Sequence, residues 1–267
     1  MNEGRESGYE NEPTETFTPL PLDRYCAFYH LEMNGVEDRN FYRDQLRHHG
    51  CRSVLELGCG TGRICDCLQH CGFSTIGIDN CRPMLAFTGV SRRAPTIEMD
   101  MCRLGLRRRF DAVIIAWNTL NLLGRQSRIS ACLRETATVL QPGGLLLLHL
   151  FVPDQQLRDH PGQRFFQYRL LDLPSGGKLV KETQRTYHRQ SRLLHLEERY
   201  KLRLLPGGAP NCNFSHNHQL AALPAETWQQ LLEQSGYMVT AQYGDFAGLP
   251  YRPGEHSTLL VTARLIS

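Results

Sequence analysis

The chain has 267 residues, 41% of them hydrophobic, and a formal net charge of +3, enough apolar material for one domain with an elaboration. So mild a charge leaves no electrostatic footprint for nucleic acid. No apolar run approaches the ~18 residues that a bilayer span needs, and no basic-then-apolar leader opens the chain, so neither a nucleic-acid nor a membrane partner is expected and the location is expected to be cytoplasmic. Residues 1–21 are polar, acidic and proline-containing, and read as a mobile arm. Order is expected from Leu22. An aromatic segment from Asp23 to His30 follows, with Tyr25, Phe28 and Tyr29, and Glu37 to Tyr42 enter a helix that ends near His48-His49-Gly50.

Val54-Leu55-Glu56-Leu57 is a short apolar run that suits a buried parallel strand. It meets Gly58-Cys59-Gly60-Thr61-Gly62-Arg63, after which Ile64, Leu68 and Cys71 fall at helical spacing. Glycines at a strand-to-helix turn reach backbone angles closed to other residues and let a ligand touch bare main chain. A dinucleotide fingerprint reads G-x-G-x-x-G and brings a pyrophosphate to the helix N-terminus. Here the spacing is G-x-G-x-G, and Glu56 stands two residues ahead. A carboxylate there repels pyrophosphate but suits a ligand carrying an ammonium and a sulfonium.

A second strand, Phe73 to Ile78, ends at Asp79, which can accept both hydrogen bonds of a ribose diol. Asn80 is a plausible N-cap for a helix opening at Pro83-Met84-Leu85. Thr96 to Met101 reads as a third strand carrying Asp100, and Phe110 to Ala116 as a fourth delivering Trp117-Asn118-Thr119-Leu120-Asn121. A helix from about Arg125 to Leu140 is stopped by Gln141-Pro142-Gly143-Gly144, and Leu145 to Val152 forms a fifth strand buried on both faces. Residues 153–223 are an insertion of alternating segments around Arg164–Leu170, Lys178–Tyr187 and Leu194–Leu202, with turns at Ser175-Gly176-Gly177 and Arg189-Gln190-Ser191. They predict a small antiparallel sheet, in which Arg164, Arg169, Tyr187, His195 and Arg199 have no assignable face. Residues 224–267 return with an amphipathic helix around Trp228 and two closing strands, Tyr237–Tyr243 and Ser257–Ala263, joined by a loop with Asp245 and Phe246.

The glycine turn behind Glu56, the acids Asp79 and Asp100 and the Leu140-Gln141-Pro142-Gly143-Gly144 turn, in this order, resemble the class I S-adenosylmethionine-dependent methyltransferases. The small-molecule type is nearest, similar to glycine/sarcosine N-methyltransferases and amino-sugar N,N-dimethyltransferases. The resemblance implies an α/β fold, a Rossmann-like seven-stranded mostly parallel sheet with helices on both faces and an inserted antiparallel lid. Its core spans 22–152 and its last strand is antiparallel. S-adenosyl-L-methionine is the implied cofactor, held by Tyr25, Glu56, Gly58, Cys59, Gly60, Thr61, Gly62, Arg63, Asp79, Asn80, Met84, Asp100, Met101 and Trp117. Tyr29, Asn118, Asn121 and Phe151 fall on the implied acceptor side, and a homodimer is compatible with the family.

Displacement at a sulfonium has a good leaving group already, so alignment is the main task and no base is obligatory. If one is used, His149 or His30 is the candidate, although each also suits a packing role. The Asn/Asp-Pro-Pro-Tyr/Phe pattern of adenine or glutamine methylation and the Pro-Cys of cytosine C5 chemistry are both missing after the fourth strand. These absences favour a small-molecule amine or hydroxyl acceptor. An RNA or protein methyltransferase and a non-catalytic cofactor-binding regulator remain the alternatives. The ten cysteines offer no C-x-x-C pair, so no metal is expected and reduced core thiols are.

Overall fold

A computed structural model describes residues 15–33, 35–87, 94–174, 176–203 and 211–266; of the arm expected over 1–21, residues 1–14 lie outside them. The described chain begins with a two-residue strand β1 (Thr18–Pro19) and helices α1 (Leu22–Glu32) and α2 (Glu37–His48). The end of the expected arm is tied down, because β1 pairs Thr18 with Phe214 and Glu15 makes ion pairs with Lys201 and Arg203.

From Ser53 strand and helix alternate except between β4 and β5: β2 (Ser53–Leu57), α3 (Arg63–His70), β3 (Ser74–Asp79), α4 (Arg82–Leu85), β4 (Thr96–Glu98), β5 (Phe110–Ile115), α5 (Gln126–Val139) and β6 (Leu140–Phe151). The insertion holds α6 (Gln155–Asp159), β7 (Arg164–Asp172), β8 (Lys178–His188), β9 (Leu193–Arg203) and β10 (Cys212–Ala221). The chain then closes with α7 (Ala225–Gln234), β11 (Tyr237–Tyr243) and β12 (Thr258–Leu265).

Seven strands form one sheet in the order β11-β12-β6-β5-β2-β3-β4, with β12 antiparallel to both neighbours. Its central strands carry runs of apolar residues pointing to both sides, as in Ala112–Ile115 and Leu145–Leu148, because both faces are covered. Leu55, Leu57, Val113, Ile115, Leu146 and Leu148 pack with α5 and α7, around the fully buried Trp228. Val54, Ala112, Ile114, Leu145 and Leu147 pack on the opposite face, with Phe41, Tyr42 and Leu46 of α2 and Ile64 and Leu68 of α3. The period of two along each strand assigns the layers. Five strands form the second sheet, β1-β10-β9-β8-β7, so the expected α/β architecture with an inserted antiparallel sheet is the observed one.

Three local expectations change. The stop at 141–144 is absorbed into β6, which already pairs Leu140 with Phe110 before the register resumes at Ala112↔Leu145. The N-cap of α4 is Cys81, not Asn80, and the Cys81 amide donates to Asp79 Oδ1 at 2.8 Å. Strand β10 had no signal, because Asn213, Ser215, His216, Asn217, His218 and Gln219 leave it few apolar positions. Among the described residues, no helix is long and apolar enough to cross a membrane.

Candidate functional site

The carboxyl ends of β2, β3 and β5 and the inner face of the five-stranded sheet enclose one cavity of about 480 Å³, a volume usual for small-ligand sites. Its floor is the glycine turn, where Gly58, Gly60 and Gly62 take φ of 72°, 54° and 88°, angles that favour glycine. A Cβ on Gly60 would meet nothing nearer than the Tyr29 ring at 3.6 Å, so bare main chain faces the space beside Tyr29. A Cβ on Gly58 would overlap the Thr119 methyl group. Asp79 braces the turn, its Oδ2 accepting from the Gly60 amide at 2.8 Å, and it still borders the cavity.

Of the residues expected at the site, Tyr25, Tyr29, Gly58, Gly60, Asp79, Asn80, Met84, Asp100, Met101, Trp117 and Asn118 line this cavity. Trp117 and Asn118 have φ of 49° and 59°; a bulky residue in that region is strained and must be held by its surroundings. Trp117 Nε1 donates to Asp38 Oδ2 at 2.6 Å, and Arg63 Nη1 donates to Asp38 Oδ1 at 2.9 Å. Burial opposes the Asp38 charge, but Arg63 and Trp117 outweigh it and hold the carboxyl below its ordinary value.

Other expected residues lie elsewhere. Cys59, Arg63 and Glu56 border a small adjoining recess, while Thr61 and Gly62 touch neither space and Gly62 caps α3. Glu56 does not line the main cavity; its Oε2 accepts from the Cys65 amide in the first turn of α3 at 3.0 Å, the favourable position for an acid at a helix start. Asn121 and Phe151 are buried structure rather than cavity wall: Asn121 Nδ2 donates to Phe151 O at 3.0 Å and Ala221 O at 2.7 Å, and its Oδ1 accepts from the Phe151 amide at 3.1 Å. Neither base candidate lines the cavity. His149 packs between Trp117 and Phe246, and burial lowers its pKa to about 4; His30 packs on Phe87.

Burial raises the Glu56 carboxyl from its ordinary 4.5 to about 7. A raised value means that the folded state holds the proton more tightly, so stability is lost as pH climbs from about 4.5 to 7 and stays lost above. Glu56→Gln keeps an acceptor for the Cys65 amide and removes that penalty. It should exceed the wild type by on the order of 2 kcal/mol at pH 8 and match it near pH 4. Urea midpoints at the two pH values check this; an equal difference at both would contradict the assignment.

The insertion supplies the wall that the sequence did not resolve. Lys181, Leu196, Glu198, Tyr200, His218 and Leu220 line the cavity from β8, β9 and β10, together with Glu32 and Met33 from α1 and its end. Lys181 Nζ lies 2.8 Å from Glu32 Oε2 and 2.6 Å from Glu198 Oε1, and Glu198 Oε2 accepts from the Tyr200 hydroxyl at 2.9 Å. Burial works against the Glu198 charge, but Lys181 foremost holds it below the ordinary carboxyl value, while burial lowers His218 and keeps its imidazole neutral at pH 7. Arg164 is exposed, Arg169 is half-exposed, Tyr187 is buried beside Phe151, His195 packs against His188 with the rings tilted by 50°, and Arg199 pairs with Glu197; none lines the cavity. The usable signal was parity: Glu198 shares its face with Leu196 and Leu202, and Lys181 with Leu179, so each is a charge at an inward position.

Residues 54–144 match a methyltransferase domain family. A cypemycin N-terminal methyltransferase from Streptomyces is 29% identical over 216 residues, 80% of this chain and 83% of the relative. A glycine/sarcosine N-methyltransferase from Aphanothece halophytica is 27% identical over 52% of this chain and 54% of its own. In fold, an S-adenosylmethionine-dependent methyltransferase from Clostridium acetobutylicum superposes with a TM-score of 0.76 at 14% identity, covering 91% of this chain and all (100%) of that one. An amino pentose methyltransferase from Micromonospora echinaspora, solved with S-adenosylmethionine bound, gives 0.70 at 22% identity over 94% and 100%. The residues present fit an adenosyl cofactor: Gly60 leaves a cradle that any Cβ would fill, and an acid, Asp79, borders it.

Proposed function

Because the chain is an S-adenosylmethionine-dependent methyltransferase, we propose that it methylates the amine of a small molecule, the reacting nitrogen entering beneath the five-stranded sheet. The observation that carries this reading is the charge and polarity of the wall. Glu32 and Glu198 share Lys181, and Arg169 approaches Glu32 to 3.8 Å from outside the wall, so the cavity-lining side chains of the group, two acids and one base, carry one net negative charge beside a neutral imidazole. Among the described residues, two acceptor atoms in cavity-lining side chains make no hydrogen bond, Glu32 Oε1 and Asn118 Oδ1. A buried acceptor without a donor costs free energy until a ligand supplies one, and an ammonium supplies several. The names of the relatives, an N-terminal methyltransferase, a glycine/sarcosine N-methyltransferase and an amino pentose methyltransferase, support a nitrogen acceptor.

S-adenosylmethionine, when bound, supplies a methyl group already activated on a sulfonium. Gly60 and Asp79 would hold it, with Asp100 and Met101 on the adenine side. The protein's own part is orientation and exclusion of water. Trp117, pinned by Asp38, and the aromatic pair Tyr25 and Tyr29 line the same cavity as the glycine turn and the charged wall and would help to keep water out of it. Glu32, Glu198 and Asn118 would accept N–H groups of the acceptor after one proton of its ammonium has left to water, which keeps the lone pair of the neutral amine free. Two acids then stand beside the positive charge that the nitrogen gains on methylation.

Purified protein, S-adenosylmethionine and paired acceptors test the proposal, with released S-adenosylhomocysteine as the readout. Amines should turn over and the hydroxyl compounds of matched skeleton should not. Turnover restricted to hydroxyl compounds, or to RNA, overturns it.

A further inference from the structure

We infer that Glu32, Lys181 and Glu198 act as a charge filter that admits an amine without a carboxylate and turns away free amino acids; the inference rests on the amine reading above and narrows it. Among the described residues, six charged side chains line the cavity: the acids Glu32, Asp79, Asp100 and Glu198 and the bases Lys181 and Arg128. Both bases are already engaged. Lys181 is bridged by Glu32 and Glu198, and Arg128 Nη2 lies 3.4 Å from Asp100 Oδ2, on the cofactor side. Arg169 approaches Glu32 to 3.8 Å but is not part of the cavity wall.

An amino acid brings an ammonium and a carboxylate only two bonds apart through the α-carbon. When its ammonium reaches the wall its carboxylate is desolvated beside two protein carboxylates, and Lys181, the one base of that wall among the described residues, is already bridged by both. A buried carboxylate needs a charged or multiply hydrogen-bonded partner, and like charges placed together are a standard means of rejecting a wrong ligand. The unpartnered acceptors Glu32 Oε1 and Asn118 Oδ1 instead fit a molecule that donates more than once, an ammonium with hydroxyl or amide N–H groups nearby. Lys181 sets the sign of the wall. With it, the carboxylates are stable while vacant and the cavity-lining side chains of the wall retain one negative charge for the ligand; without those carboxylates it would be a carboxylate receptor.

The test uses the full chain and two pairs of matched probes, 2-aminoethanol against glycine and 2-amino-1,3-propanediol against serine, each followed by S-adenosylhomocysteine release and product mass. The amino alcohol of each pair should show a kcat/KM at least about tenfold above its amino acid. The double variant Glu32→Gln, Glu198→Gln keeps the shape and hydrogen-bonding oxygens but leaves Lys181 as the sole charge of the wall. Its preference should collapse or reverse, while calorimetric affinity for S-adenosylhomocysteine stays within about twofold of the wild type and so certifies the fold. Amino acids used as well as their alcohols, or a preference that the double variant leaves unchanged, overturns the filter. Turnover of glycine and serine alone would leave the amine reading standing without the filter, whereas turnover of none of the four amines overturns that reading and the filter with it.

Discussion

Gly60→Val abolishes binding of S-adenosylhomocysteine, with a loss of affinity of about a hundredfold or more, equivalent to about 3 kcal/mol. Two effects combine. Gly60 has φ of 54°, where an L side chain costs roughly 1–2 kcal/mol and a β-branched one more. Its side chain would also project beside Tyr29 into the space over the turn, since nothing else stands within 4 Å of the added Cβ. The variant should still fold, because that space is cavity and not core. The protein's melting temperature should rise with saturating S-adenosylhomocysteine in the wild type and stay flat in the variant, with unchanged far-ultraviolet circular dichroism. A normal ligand-induced shift in Gly60→Val would remove the turn from the cofactor site. Gly58→Val is a poorer probe, because its Cβ would run into Thr119 and the loop itself would have to move.

Asn121→Ala destabilises the protein by about 3–5 kcal/mol, or roughly 10 °C in melting temperature for a domain of this size. Asn121 is wholly buried and satisfies the amide and carbonyl of Phe151 and the carbonyl of Ala221. Phe151 is where the chain leaves the seven-stranded sheet for the insertion, and Ala221 is where it returns. The alanine variant strands three buried backbone groups and frees the second sheet from the first. Acceptor turnover should therefore fall further than S-adenosylhomocysteine affinity, although Asn121 lines no part of the cavity. Urea unfolding at wild-type strength would contradict this role.

The contrast between Asn121 and Asn118 shows what a sequence can and cannot reveal. Both follow β5, three positions apart, and both belonged among the expected acceptor contacts. Asn118 lines the cavity while Asn121 is consumed by a residue 100 positions away, and nothing local to either distinguishes them. Strands β2, β3, β5 and β6 and the glycine turn were legible because each is written in contiguous residues: apolar runs, and glycines at angles that only the turn requires. Glu56 was legible as a key acid but not in its orientation, since a carboxylate beside a helix start can face either the ligand or the Cys65 amide. The acceptor wall was hidden for another reason. Lys181 and Glu198 are charges on inward faces of strands whose outward faces are also charged, so the alternation that marks a half-buried strand is blurred. They are stable inside only because they meet each other and Glu32, and that pairing joins β8, β9 and α1 across long stretches of chain.

Calorimetric titration of the wild-type chain with S-adenosylmethionine, S-adenosylhomocysteine and NADH tests the central claim most directly. Saturable binding of both adenosyl compounds and none of NADH is the predicted result. Preference for NADH, or no adenosyl binding, would contradict the cofactor site built on Gly60 and Asp79 and everything placed beside it.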